Sequence, residues 1–304
     1  MPREHPSGRQ LSISHGDQSL TAVQVGGGIR EYRRGTRPIL DPYGMDEMCP
    51  AAHGQLLLPW PNRLGGGRYR FQGRELQLPL TEPERGTAIH GLLRWVAWEV
   101  ASEADDHVAL AARIYPQTGY PFLIDARIEY HLDDAGLTVI ISATNPGDEA
   151  APFGVGQHPY LSPGASTVDG ARLRVPAGRR LEVDERLLPT GRTADVGGPL
   201  DFREQREIGT TRLDHCFTGL ERDAQGRASI DLEGQDGVTV TLWMDMAWGW
   251  AQIFTADSLP GPLTRRALAV EPMTCPPDAF RSGDGLIVLQ PGGRFSASWG
   301  ITVR

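Results

Sequence analysis

The chain has 304 residues and a formal net charge of −8, and it lacks any basic run long enough to follow a phosphate backbone, which removes the electrostatic case for nucleic acid. Lysine is absent, every basic residue being arginine, so Schiff-base chemistry, pyridoxal phosphate anchoring and the P-loop lysine are excluded together. Cys49, Cys216 and Cys275 form neither a C-x-x-C pair nor a zinc spacing, so no disulfide scaffold and no metal are expected.

From the N-terminus, MPREHPSGRQ has no apolar signal region, and no stretch approaches the 18 or so apolar residues of a membrane span. A soluble, cytoplasmic protein with no membrane partner is expected. The 37 Gly and 24 Pro are spread at turn-like positions rather than pooled, which favours many short strands. At 56–71, LLLPWPNRLGGGRYRF interrupts apolar residues, prolines and glycines with Asn62 and Arg63, and Asn occurs otherwise only at Asn145. A turn Asn with a surface Arg and a hydroxyl-binding polar pair are both open there. The triple glycine lacks the G-x-G-x-x-G order, so a dinucleotide fingerprint is rejected.

The segment RYRFQGRELQL reads as a hairpin turning at Gln72 and Gly73. Next, GTAIHGLLRWVAWEV places His90 at the start of an apolar strand. A second hairpin, over 125–143, turns at 133–136. In PFGVGQHPYLSPG, flanking Gly and Pro hold the backbone around His158 and Tyr160 while leaving the imidazole free, although a structural histidine fits equally. A short helical piece is expected over DFREQREIG near Asp201, and RLDHCFTGL puts Asp214 on a strand. The third hairpin spans 228–246 and turns at 235–237. In WGWAQIFTAD, Gln252 sits among apolar neighbours, as a ligand contact or on the outer face of a strand.

The most informative run is ALAVEPMTCPPDAF, over 267–280, where a buried-strand pattern carries a lone carboxylate, Glu271, into a proline-broken loop. An unpaired carboxylate taken out of water is costly, so Glu271 is a site candidate, the alternatives being solvent exposure or pairing with Arg265 or Arg266. A short helix is expected near Pro277, and 285–303 reads as a last hairpin turning at 291–293. With no linker in view, the fold expected is all-β: a single domain over 1–304, a large antiparallel β-sandwich with few short helices.

Taken in order, NRLGGGRYRFQGRELQL, IHG, QHPY, LDHCF, AQIFTAD and VEPMTCPPDAF resemble the motifs of the aldose 1-epimerase family, the galactose mutarotases, from about Asn62 to the C-terminus. The resemblance implies a galactose mutarotase-like supersandwich and an isomerase that interconverts the α and β anomers of a monosaccharide such as glucose or galactose, with no cofactor. It further implies Glu271 as general base and His158 as general acid. Asn62, Arg63, His90, Asp214 and Gln252 would hold sugar hydroxyls and the ring oxygen, with Tyr160 lining the pocket. Pro-Tyr-Leu after His158, and Leu92-Leu93 after His90-Gly91, depart from the family's commoner pattern and leave the sugar open. A monomer or homodimer is expected.

Anomer exchange needs one base and one acid, and a His with an ordinary value of about 6.5 is protonated only about a quarter of the time at pH 7. The expectation is therefore that Asp214 or Glu271 favours protonated His158, that Arg63 steadies charge developing at oxygen, and that His158 and Glu271 lie on opposite sides of one pyranose. The competing readings are a hexose-6-phosphate mutarotase using an arginine cluster, a glycoside hydrolase using Glu271 and Asp214, and a sugar-binding protein without turnover.

Overall fold

Alternation with a period of two is cleanest at Ile124–Asp133, whose residues are alternately buried and half-buried, and which pairs with Gly136–Thr144 across the expected turn. The computed structural model describes residues 4–304, and every strand pairing of this kind within it is antiparallel. Those two strands lie in a nine-stranded sheet whose later members are Arg294–Val303, Thr239–Met244 and Ala228–Glu233. The larger sheet has twelve strands and begins with Gln10–His15, Gln18–Val23, Ile29–Arg34 and Arg37–Leu40. It continues through Tyr160–Leu161, Leu268–Met273, Trp250–Phe254 and Asp214–Leu220.

The inward faces of the two sheets meet in one apolar cluster. Tyr32, Ile253 and Val270 come from the larger sheet, and Tyr130, Val139 and Trp299 from the smaller. Removing this surface from water is what holds the sheets together as a sandwich. A fully buried polar residue bridges the sheets: Gln157 donates through Nε2 to Gly54 O and Tyr130 Oη, both at 3.0 Å, and accepts from Trp299 Nε1 at 3.0 Å. With its amide satisfied, Gln157 fixes the backbone one residue before His158 at little cost.

Three local expectations are corrected. The run 285–303 is not a hairpin: Ile287–Leu289 pairs with Ala151–Phe153, whereas Arg294–Val303 pairs with Gly136–Thr144 and Thr239–Met244. The turn itself forms, but Asn145 captures it from outside, its backbone bonding Gly292 and Gly293 and its side chain donating to Leu289 O. No helix forms over 201–209; a 3₁₀ turn, Gly198–Leu200, precedes it and the pair Arg206–Glu207 adds to the nine-stranded sheet. The helix expected near Pro277 is present as one turn, Ala279–Ser282. His90 follows the strand Thr87–Ile89 instead of starting one, because its φ of 63° breaks the extended run. No helix among the described residues is long and apolar enough to cross a membrane.

Gly91 explains that break. Its φ is +75°, and a Cβ placed on it would lie 2.1 Å from the Leu58 carbonyl oxygen, so two backbones pass there at a distance only glycine permits. Gly91→Ala is expected to cost about 2–3 kcal/mol of stability through left-handed strain and displacement of the 58–62 segment. A urea midpoint matching wild type would contradict this.

Candidate active site

Alternation along three neighbouring strands builds the floor of the site. Leu268 and Val270 enter the core between the sheets, which turns Ala269, Glu271 and Met273 to the opposite face. Ala251 and Ile253 do the same on the next strand and turn Gln252 outward. Register then aligns them across the sheet: Cys216 stands opposite Gln252 and Gln252 opposite Glu271. In the adjacent row Asp214, Phe254, Ala269 and Tyr160 face one another in turn. Gln252 lies buried on this floor, and its Nε2 donates to Asp214 Oδ1 at 2.6 Å.

The walls come from loops. Because Gln157 points inward, His158 points to the opposite face, and its backbone is held by Gln55 O at 3.1 Å and by Gly54 N–H at 2.9 Å. Asn62 and His90 both adopt left-handed backbone, with φ of 54° and 63°. They lock each other: the His90 N–H donates to Asn62 O at 2.9 Å, and the Asn62 N–H donates to His90 Nδ1 at 3.2 Å. A backbone N–H can only donate, so His90 Nδ1 accepts and the ring hydrogen sits on Nε2. Burial also drives the His90 pKa well below the ordinary 6.5, with Arg94 adding to the effect, and the ring is neutral. Left-handed backbone is costly at a non-glycine residue, and here the two mutual hydrogen bonds hold it in place.

All eight residues singled out in the sequence, Asn62, Arg63, His90, His158, Tyr160, Asp214, Gln252 and Glu271, line one cavity of about 400 Å³. Its volume falls near the lower end of small-molecule sites. Glu271 pairs with neither nearby arginine: Arg265 bonds Asp169 and Asp257, and Arg266 bonds Asp41. Its partner is His158, whose Nε2 lies 3.2 Å from Glu271 Oε1. His158 and Glu271 therefore sit side by side and not on opposite sides of a sugar, since no ring fits between atoms in contact. His158 Nδ1 and Glu271 Oε2 are buried without a protein partner, an expensive condition unless a ligand relieves it.

The protonation expected of His158 is also corrected. Burial, then the charges of His53 and Arg94, hold its pKa well below 6.5 in spite of the adjacent carboxylate. Burial raises Glu271 well above its ordinary 4.5, and the negative charge of Asp214 raises it further, with Arg63 opposing. In a site this dry, desolvation outweighs the Coulomb gain of an ion pair. Both shifts favour the uncharged forms, a carboxylic acid beside a neutral imidazole.

Arg63 is not free. Its guanidinium forks onto Glu82 at 2.7 and 2.9 Å, and Glu82 also accepts from Thr87 Oγ1 at 2.6 Å. Glu82 and Arg94 line the same cavity and were not among the residues singled out. Arg94 donates from Nε to Gln55 Oε1 at 2.9 Å and makes no ion pair among the described residues. An arginine inside the apolar run GLLRWV was the signal for it, whereas Glu82 lies in a polar turn sequence, TEPERG, that carries none.

Comparison with known proteins agrees with the motif reading. The family model for aldose 1-epimerase matches residues 9–302. The uncharacterized protein YihR of Escherichia coli K12 is 38% identical over 291 residues, covering 95% of this chain and 91% of that one. Galactose mutarotase of Rattus norvegicus is 29% identical over 172 residues, 53% of this chain and 48% of its own. The crystal structure of a GalM/aldose epimerase homologue from C. elegans shares the fold with a TM-score of 0.87 at 18% identity, covering 97% of this chain and 98% of that one.

Proposed function

Since the chain belongs to the aldose 1-epimerase family, we propose that it interconverts the α and β anomers of an aldohexose such as glucose or galactose, residues 1–304 acting as one domain. The observation that carries this reading is the contact between Glu271 and His158 inside a cavity rimmed by hydroxyl-binding groups. Anomer exchange removes a proton from O1 and delivers one to the ring oxygen, and both oxygens are bonded to C1. An acid and a base that touch therefore suit the reaction better than a pair set far apart.

The proton count closes. Transfer of the shared proton from Glu271 to His158 gives a carboxylate beside an imidazolium. Glu271 then takes the O1 proton while His158 protonates the ring oxygen, and the C1–O bond of the ring breaks. The products are the open aldehyde, a carboxylic acid and a neutral imidazole, which is the uncharged distribution that burial favours. Rotation about C1–C2 and reversal of both transfers close the other anomer. Positioned groups of this type each contribute about 10²–10⁴-fold, without metal or cofactor. His90 offers an Nε2–H donor and Asp214 a carboxylate acceptor to the sugar hydroxyls, with Asn62, Arg63 and Gln252 beside them.

Arg94 favours a second reading. A cation in the cavity with no carboxylate of its own matches a substrate that brings a negative charge, as a hexose 6-phosphate does. Mutarotation of freshly dissolved α-glucose, α-galactose and α-glucose 6-phosphate, followed by polarimetry or NMR exchange, separates the two. Acceleration of the neutral sugars is the expected result, preference for the phosphorylated sugar would establish the second reading, and catalysis of none would remove both.

A further inference from the structure

A stack of rings runs from the cavity lining to one residue, His53, that anomer exchange by Glu271 and His158 does not itself require. His53 does not line the cavity and is 2% exposed. Its ring lies parallel to Tyr160, with centroids 3.8 Å apart and planes 8° apart. Tyr160 also stacks on His158, at 4.9 Å and 14°. His90 meets the His158 ring edge-on, at 5.5 Å and 75°.

His53 is held more firmly than packing requires. Its Nδ1 lies 2.8 Å from the Pro50 carbonyl oxygen, and its Nε2 lies 3.0 Å from Asp41 Oδ2. Asp41 Oδ2 also accepts from Arg266 at 3.0 and 2.6 Å, which fixes that carboxylate as an acceptor. Both ring nitrogens of His53 thus face fixed oxygens, Pro50 O and Asp41 Oδ2, and the ring cannot rotate without losing both contacts. Tyr160 is tethered separately, its hydroxyl donating to Ala51 O at 3.1 Å. His158 has no such anchor on its ring beyond Glu271, since Nδ1 has no partner. The plane of its imidazole is set by the surfaces packed on it.

We propose that His53 is a positioning residue: aimed by Asp41 and Pro50, it holds Tyr160 flat against His158 and so keeps the imidazole in the plane from which Nε2 meets Glu271. The inference rests on the role given to His158 above.

His53→Leu removes the flat ring, and His53→Phe retains it without the two bonds. The expected result for Leu is a kcat lowered by about 10–100-fold, the range for a small misplacement of a reacting group, with KM within about twofold. Phe should recover kcat to within about threefold of wild type, because stacking survives. Histidine ring NMR of the sugar-free protein, with the His158 signal assigned by its loss in His158→Asn, gives a readout independent of turnover. In His53→Leu that signal should shift and broaden, and in His53→Phe it should remain single and near its wild-type position. A wild-type His158 signal in His53→Leu overturns the proposal, as does a loss expressed in KM instead of kcat, or a folded His53→Phe as slow as Leu. Because the NMR arm needs no substrate, an enzyme inactive on every sugar tried would count against anomer exchange while leaving the positioning of His158 tested on its own.

Discussion

Replacing Glu271 by Gln is expected to lower the rate of anomer exchange by about 10²–10⁴-fold, the contribution of a positioned base, while binding of the sugar changes little. The two side chains are nearly the same size, and the amide can still reach His158 Nε2 across the 3.2 Å contact, so the cavity keeps its shape. What Gln cannot do is accept and return a proton at C1. The measurement is polarimetry for the rate and calorimetry for the sugar. A wild-type rate in Glu271→Gln would overturn the assignment of the base. Unaltered sugar binding by a wild type that never accelerates mutarotation would instead make the protein a binder built on this fold.

The same residue shows why parts of the site were legible in the sequence. Glu271 and Gln252 stand out because each is a polar residue in a run that alternation and apolar neighbours mark as a strand, and both prove buried on the floor of the cavity. Period-two patterning also located the hairpins of 68–78, 125–143 and 228–246, where the turn residues and the pairing partners are adjacent in the chain. It misled at 285–303, because the partner that decides that turn, Asn145, lies far away in sequence. The helical reading near Asp201 failed for a related reason: Arg206–Glu207 is recruited as an edge strand by Arg172–Arg174, which no local pattern announces.

Legibility of the chemistry follows the same division. Residue types pointed to an acid and a base, but only tertiary structure sets the distance between them, and burial reverses the protonation expected of His158. A carboxylate beside a solvated imidazole raises its pKa, whereas here the loss of water around both groups is the larger effect. Arg63 was expected to act on developing charge, yet Glu82 occupies its fork, so its charge reaches the sugar already partly neutralised.

Stability should pass through a maximum near pH 6.5, and the shared proton is the reason. In the folded protein burial raises Glu271 well above 4.5 and lowers His158 well below 6.5, so the pair is expected to share one proton. In the unfolded chain they hold two protons below about pH 4.5, one between 4.5 and 6.5, and none above. The pair is therefore neutral to stability in the middle window. Above 6.5 a Glu271 that keeps its proton makes the folded state bind the extra one, and stability then falls by up to about 1.4 kcal/mol per pH unit until pH passes the raised value of Glu271. Below 6.5 the depressed His90, buried and neutral, works in the opposite sense: the unfolded chain binds a proton that the folded protein refuses, so stability falls as pH drops. Exposed pairs such as His15 with Asp134 are screened and contribute little to either limb. In Glu271→Gln the proton held above pH 6.5 disappears, so the alkaline decline should flatten and the variant should become the more stable protein as pH rises, trading activity for stability. Urea denaturation of both proteins at pH 6.5, 7.5 and 8.5 measures this directly. Equal declines in the two proteins, or a wild type that gains stability over that range, would show that Glu271 is already ionised in the folded state, with a charged pair in place of the neutral one.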